Sequence, residues 1–369
     1  MDIGLVHTNL IYTRGAEKQL CELSYYLDKM GNDVTIYTFE KKEDYIFDNL
    51  LKNVNVVSLN KPWHINSSNM LVSGLNVPRW YKMIKELSKL IKNHDVLNLH
   101  NTPSNWVSHF TDIKTVWTCN EPPFLSQGDQ GLTKYLLSPY RKVDNKLTDA
   151  DLICVLDNRM EKIVGNLFPN SHIKSIGSGA TLFRPINHKN NGFINIITVG
   201  PVVPQRRLFD IIKAVDTLNL SNVKIHFVGD IKDATYYNSI KDFANKQKID
   251  VIFHGILSND ELYDLFDISD LAIMASEKQP WGIFPLETFL GNIPTLTSNQ
   301  TGINEFVSNN DFIFKTGDIR DLSEKIFSVL NNPEFYQKKV EKISNEIDNN
   351  FSWKGYSKRF YNLLEETVK

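Results

Sequence analysis

The chain is expected to be an α/β protein built as two parallel-sheet units in tandem. Three observations lead there. Short β-branched runs alternate with helical patterns along most of the chain, the pattern restarts after Phe183-Arg184-Pro185, and 369 residues exceed the roughly 250–300 that one core serves. In the first half, Ile3-Gly4-Leu5-Val6 reads as a strand and Ala16 to about Lys29 as a helix. Leu20, Leu23, Tyr26, Leu27 and Met30 recur there at three and four residues and predict one buried face. Gly31-Asn32 stops the helix and Val34-Thr35-Ile36-Tyr37 is the next strand. Further strands are expected at Val54–Val57, Val96–Leu99, Thr115–Thr118 and Leu152–Leu156.

The polar stretch Asn187 to Gly192 reads as a linker, which puts the join of the two units near residue 188. Ile194–Val199 opens the second unit. Helix Phe209–Leu218, strand Lys224–Val228, helix Tyr236–Lys246 and strands Val251–Phe253 and Leu271–Met274 follow. The final segment, from Phe351-Ser352-Trp353 to Lys369, lies beyond the last strand and is expected to pack back across the first domain. Ligands of open parallel sheets bind outside the carboxyl ends of the strands, so two such sheets predict a substrate site in a cleft between them.

Composition narrows the function classes. Lys and Arg number 41 against 43 Asp and Glu, a formal charge of -2, which argues against bulk nucleic-acid binding. Three scattered cysteines (Cys21, Cys119, Cys154) make neither a disulfide framework nor a paired zinc site. No apolar run approaches the ~20 residues of a membrane span, and the N-terminus does not read as a signal peptide, so a soluble cytoplasmic protein is expected. The stretch Trp80–Lys92 is a basic amphipathic helix. Packing with a solvated lysine face is its first reading and peripheral contact with an anionic membrane its second.

Three strand-to-helix loops carry the candidate chemistry. Arg14-Gly15-Ala16-Glu17 follows the first strand, where a glycine and a helix N-terminus suit close approach of an anion, although by itself a glycine that merely shapes a turn is the more ordinary reading. No G-x-G-x-x-G occurs there or after Ile194–Val199, which weakens a dehydrogenase reading. Gly200-Pro201-Val202-Val203-Pro204-Gln205-Arg206-Arg207 places two arginines at a helix start, where cations are electrostatically out of place; a phosphate or diphosphate on their planar forks would relieve this, and two solvated surface arginines are an equally ordinary reading. Ser276-Glu277-Lys278-Gln279-Pro280-Trp281-Gly282-Ile283-Phe284-Pro285-Leu286-Glu287 opens a helix through Leu290. Gly282 permits close backbone approach and Glu287 has the carboxylate to accept from ribose hydroxyls.

Taken in order, these segments resemble glycosyltransferase family 4, the retaining, nucleotide-sugar-dependent enzymes of GT-B double-Rossmann architecture. Gly15-Ala16-Glu17 is similar to the family's Gly-Gly-Ala-Glu loop, and Trp117-Thr118-Cys119-Asn120-Glu121-Pro122-Pro123 to its strand ending in His-Glu-Pro. Gly179–Pro185, Phe227-Val228-Gly229-Asp230, Phe253-His254-Gly255 and Thr297-Ser298 with Gly302 and Glu305 follow in the family's order. The resemblance implies a GT-B fold with two Rossmann-like domains facing across a cleft and a C-terminal helix crossing back. Residues 1–186 would be the acceptor-binding domain, 187–350 the nucleotide-sugar-binding domain and 351–369 the returning helix.

The resemblance also implies roles. Arg206 stands where the family has a lysine on the donor diphosphate, and Arg207 beside it. The amides of Gly282, Ile283 and Phe284, with Trp281, would border the diphosphate and sugar. Glu287 would meet the ribose, His254 and Leu257 the nucleobase site, and Gly15 would lie under the transferred sugar. His100 and Glu121 are placed on the acceptor side; Asn120, Gln279 and Arg206 are the catalytic candidates. No cofactor beyond the nucleotide-diphosphate sugar is implied, no metal is expected, and the acceptor is a glycan, a lipid-linked molecule or a protein.

Four departures stand out. Gln279 replaces the first Glu of the family's E-x7-E motif, Asn120 its His, Pro201 an Arg after the Val-Gly turn, and Arg207 a frequent Gly. Gln and Asn keep hydrogen-bonding capacity but lose charge or proton affinity. They motivate a second reading, a non-catalytic GT-B-like nucleotide-sugar-binding protein or partner subunit of an active transferase. A nucleotide-sugar 2-epimerase fits less well, because no matching His-Glu set stands out.

Overall fold

The structure, a computed structural model, describes residues 1–12, 15–64, 76–120, 143–306 and 309–369. The chain divides into two compact units, Met1–Gly179 with Trp353–Lys369, and Ala180–Ser352. Each is built on one parallel sheet with helices connecting its strands. Both Rossmann-like sheets that the alternation predicts are present.

The first unit's strands are β1 (Asp2–Leu10), β2 (Asp33–Lys41), β3 (Asn55–Ser58), β4 (Val96–His100), β5 (Thr115–Cys119), β6 (Leu152–Val155) and β7 (Ile173–Ser175), in sheet order β3-β2-β1-β4-β5-β6-β7. All pairings are parallel, with Val6 opposite both Tyr37 and Leu99. Every residue of β4, β5 and β6 is buried, as strands covered on both faces require, with Asn98, His100, Thr115 and Thr118 buried among the apolar residues.

Helix Gly15–Lys29 buries Leu20, Leu23 and Leu27 as its spacing predicts, but not Met30, which is 42% exposed. The helix ends at Lys29, and Gly31, at φ +83°, reverses the chain before Met30 reaches the core. The amphipathic helix runs over Asn76–Ser88 rather than Trp80–Lys92. Its apolar residues Trp80, Met83, Ile84 and Leu87 join the core around Trp106 and Trp117, while Lys82 and Lys85 face solvent. Beyond Ser88 the chain turns into β4, with the Lys92 amide donating to the Tyr37 hydroxyl at 3.1 Å. No helix among the described residues is long and apolar enough to cross a membrane.

The second unit's strands are β8 (Ile194–Val199), β9 (Val223–Val228), β10 (Asp250–Gly255), β11 (Leu271–Met274), β12 (Thr295–Ser298) and β13 (Ile313–Phe314), in order β10-β9-β8-β11-β12-β13. The polar stretch after Pro185 is pinned to this unit by one buried carboxylate. Asp267 accepts from Arg184 Nη1 at 3.1 Å and from the Asn187 amide at 2.8 Å, and its own carbonyl accepts from the Lys189 amide at 2.7 Å. Helix Pro333–Phe351 packs on helix Ile283–Leu290. The Ala180 amide then donates to the Phe351 carbonyl at 2.8 Å. From Trp353 the last helix returns to the first unit, lying against helix Gly15–Lys29, β4 and β5, with Trp353 fully buried against Gly179.

Candidate functional site

In each sheet the strand order reverses once, between β1 and β4 in the first unit and between β8 and β11 in the second. Loops leaving the two central strands on opposite faces open a crevice at the carboxyl edge there, the usual ligand position in such sheets. The loops flanking the second reversal are residues 200–207 and 275–282, the two segments singled out by their arginines and glycine.

These loops are stitched to each other and to their neighbours. The Glu277 amide donates to the Gln205 carbonyl at 2.9 Å, and the Gly302 amide to the Gln279 carbonyl at 2.9 Å. Ser298 Oγ donates to the Ser276 carbonyl at 2.6 Å. The loop after β9 comes in equally close. Gly229, at φ +145°, allows this, since a Cβ there would stand 2.1 Å from the Gly200 carbonyl oxygen. The Gly-Asp turn therefore has a packing reason.

Arg206 ends the turn Pro204–Arg206 and sends Nη1 to Gln279 Oε1 at 2.9 Å and Ser276 Oγ at 3.2 Å. Two of the three catalytic candidates thus meet. Arg207 turns the other way. It hydrogen-bonds Asp210 Oδ2 through Nε at 2.5 Å and Glu277 Oε1 through Nη1. Burial opposes its charge, but the bonds to Asp210 and Glu277 hold its pKa above the usual arginine value.

Gly282 precedes helix Ile283–Leu290 at φ +124° and ψ 81°, and no side chain caps that helix. Its first amides are therefore available to an anion at the carboxyl edge. The side chains of Trp281 and Phe284 point elsewhere. Trp281 is buried against Phe306 and Phe351, at centroid distances of 5.1 and 5.8 Å, and Phe284 lies in the core with Phe266 and Met274. At these two positions only the backbone faces the crevice. Ile283 and Glu287, four residues apart, form the less buried edge of the same helix.

His254 near the end of β10 stacks on His226 of β9, with ring centroids 5.2 Å apart and planes at 16°. Asn195 Nδ2 donates to Asn191 Oδ1 and the Phe193 carbonyl, which turns Oδ1 to His226 Nε2 at 3.2 Å. The network then assigns the tautomers. His226 donates through Nε2 and accepts at Nδ1 from His254 Nε2 at 2.9 Å, leaving His254 Nδ1 as an acceptor. Burial, and then the neighbouring His254, lower the His226 pKa to about 4; burial also lowers that of His254. Leu257, just past β10, is partly buried against the unit's core cluster that contains Tyr263 and Phe266. His226 and Asn195 were not anticipated; polar residues inside otherwise apolar strands were the available signal.

At the first unit's reversal, Gly15 opens helix Gly15–Lys29 and is exposed. His100 ends β4 and is fully buried, and neither ring nitrogen has a hydrogen-bond partner among the described residues. Burial, and secondarily His7, push its pKa well below the ordinary histidine value. His7 stands edge-on to it at 6.1 Å and approaches Glu17 Oε1 at 3.5 Å. Asn120 just follows β5; its backbone amide donates to Asn101 Oδ1 at 3.2 Å, while its buried carboxamide has no partner among the described residues. His7 and Glu17 are additions to the predicted set, signalled by the His7-Thr8-Asn9 run at the end of an apolar strand. Arg14 and Glu121 lie outside the described residues. Among the described residues no group of three or more His, Cys, Asp or Glu is arranged to hold a metal ion.

Comparison with known proteins finds similarity along both units. The family described as Glycosyltransferase Family 4 matches residues 13–181, and that described as Glycosyl transferases group 1 matches residues 180–346. A glycogen synthase of Mycobacterium tuberculosis is 26% identical over 172 residues, 44% of this chain but only 40% of the synthase. Among solved structures, sucrose-phosphate synthase from Thermosynechococcus elongatus superposes with TM-score 0.79 at 13% identity, covering 99% of this chain and 98% of that one. Anabaena HepE, solved in complex with UDP-glucose, superposes with TM-score 0.72 at 15% identity, covering 99% and 100%.

Proposed function

Since the chain belongs to glycosyltransferase family 4, we propose that it moves a sugar from a nucleotide-diphosphate sugar to an acceptor hydroxyl with retention of anomeric configuration. The observation that carries this reading is the pair of stitched loops at the β8/β11 reversal. They bring Arg206, Gln279 and the uncapped helix start at Gly282 to one strand edge.

In this reading the anomeric carbon–oxygen bond to the diphosphate breaks while a bond to the acceptor oxygen forms on the same face. The leaving diphosphate takes the acceptor's proton. No protein nucleophile is needed, so the chain's work is positioning and stabilising the departing charge. Arg206 and the amides of Gly282, Ile283 and Phe284 meet the diphosphate, with Gln279 holding Arg206. Glu287 accepts from the ribose, and His254 and Leu257 border the base. In the first unit Gly15, His100 and Asn120 supply the acceptor and sugar side. The reaction needs no metal in this scheme, so EDTA leaves it unchanged.

A thermal-shift panel of UDP, GDP, ADP, CMP and dTDP and their sugars tests the reading, with UDP-glucose first because HepE is known with it. A ligand near 100-fold over its Kd adds about 2.7 kcal/mol of stability. One base should stand out, with or without EDTA. A folded chain that responds to none refutes donor binding. Product NMR showing inverted configuration, or activity lost to EDTA and restored by a divalent ion, refutes the finer claims.

A further inference from the structure

Arg206 and Arg207 are adjacent, yet the chain uses them oppositely. Arg207 adopts a left-handed conformation, φ 51° and ψ 36°, closing the turn Pro204–Arg206 and opening helix Leu208–Leu218. That conformation is unfavourable for a residue with a Cβ, so something must hold it. Three elements do. Asp210 of its own helix and Glu277 of the neighbouring loop each accept from the guanidinium. Gly317, in the turn after β13, lies so close that a Cβ there would stand 2.9 Å from Arg207 Nη2. The two loops are also joined by the backbone bond from the Glu277 amide to the Gln205 carbonyl. Arg206 bonds Gln279 and Ser276 of the facing loop, and Arg207 bonds Glu277 of the same loop.

We infer that Arg207 is a positioning residue for nucleotide binding. It engages Glu277 and Asp210 instead of the diphosphate, and by clamping loops 200–207 and 275–282 together it keeps Arg206 and Gln279 at the crevice. Glu277 is then the clamp's other jaw, a structural carboxylate rather than a group that touches the sugar. This rests on the donor reading above. It goes further by dividing two neighbouring cations between binding and support, which charge and spacing alone do not do.

The two roles of Arg207 predict effects of opposite sign. If Glu277 restrains an arginine that would otherwise grip phosphate, Glu277→Gln frees it and tightens binding. If the pair is a clamp, the same change loosens both loops and weakens binding. The second variant is Arg207→Gly, because glycine accepts the left-handed backbone and removes the clamp without adding strain.

Isothermal titration of the full chain with UDP, GDP and ADP, each alone, is run on wild type, Glu277→Gln, Arg207→Gly and the double variant, at low and high salt. The clamp predicts that both single changes weaken the bound nucleotide about two- to fivefold, the scale of a partly exposed charge pair. The double variant should be no weaker than the weaker single one, since both remove the same interaction. Arg207→Gly should melt no lower than wild type and keep the wild-type salt dependence of nucleotide affinity. Tighter binding by Glu277→Gln overturns the inference alone, as does a salt dependence flattened by Arg207→Gly or wild-type affinity in both single variants. A wild-type chain that binds none of the three nucleotides overturns the donor reading and the inference with it.

Discussion

Gly282→Ala probes the helix start on which the proposed anion site depends. At φ +124° an alanine backbone is strained whatever space surrounds it. The space is also short, because the new Cβ would lie 3.3 Å from each of Met274 Sδ, Pro285 Cδ and Thr301 Cγ2. Met274 and Thr301 are buried, so neither can swing into solvent. Backbone strain of about 1–3 kcal/mol and about 1 kcal/mol of crowding give a loss of roughly 2–4 kcal/mol. At about 2–4 °C per kcal/mol for a domain of roughly 150–250 residues, a loss near 3 kcal/mol lowers Tm by about 6–12 °C.

The assay is a thermal melt of the full chain, with and without UDP. Gly192→Ala is the control, since Gly192 has φ +80° but no atom within 4 Å of an added Cβ. That control carries strain without crowding and should cost about 1 kcal/mol. Gly282→Ala should melt lower than the control and lose most of its UDP-dependent shift, because relieving the strain moves the first amides of the helix. An unchanged Tm, or one no lower than the control's, refutes the reasoning from the backbone angle. A lowered Tm with an intact UDP shift leaves the strain argument standing and removes the amides from the site.

Other outcomes follow from the same geometry. His226 has a pKa of about 4 when folded, below the 6.5 of an unperturbed histidine, so between those values the unfolded chain binds a proton that the folded chain refuses. Its contribution to stability is complete above pH 6.5 and is lost as pH falls toward 4. In urea titrations at pH 7 and pH 5, His226→Gln should show a smaller pH-dependent drop than wild type, and equal drops would contradict the buried neutral imidazole. Ser258 caps helix Asn259–Ile268 by accepting from the Glu261 amide at 3.3 Å, while Glu261 Oε2 accepts from the Ser258 amide at 2.8 Å. Ser258→Ala should cost about 1 kcal/mol in thermal melts, and a change of no more than about 0.2 kcal/mol would show the box to be dispensable.

The strongly buried elements were legible in sequence because burial leaves a local mark. Strands β6 and β11 are apolar along their length, and helix Gly15–Lys29 repeats leucines at helical spacing. Strands β7, β12 and β13 are not among the expected strands. They hold three, four and two residues at or near a sheet margin, too few to show a period. Helix Asn259–Ile268 had a readable start in Ser258-x-x-Glu261, and helices Asn158–Leu167 and Ile319–Asn331 had Asp157 and Asp318 as caps, each side chain accepting from a backbone amide. Those signals were present and went unused. The polar stretch 187–192 was misleading as a free linker, because the buried Asp267 that holds its first residues lies far away in sequence.

For the candidate site, local sequence features pick out the loops and the chemical groups they carry. A glycine before a helix, adjacent arginines after a strand and a carboxylate on the following helix are local features. They carry their backbone freedom, charge and hydrogen-bonding capacity wherever the fold puts them. Only the tertiary structure decided how those groups are shared out. The order β10-β9-β8-β11-β12-β13 brings residues 205 and 277 into contact, so that Arg206 faces Gln279 while Arg207 is taken up by Glu277 and Asp210. It likewise turned the Trp281 and Phe284 side chains into the core and joined Asn195, His226 and His254 in one hydrogen-bonded row. Strand order and the pairing of distant side chains depend on contacts among residues far apart in the chain, and no local pattern of residue types encodes which of two neighbouring arginines will find a carboxylate.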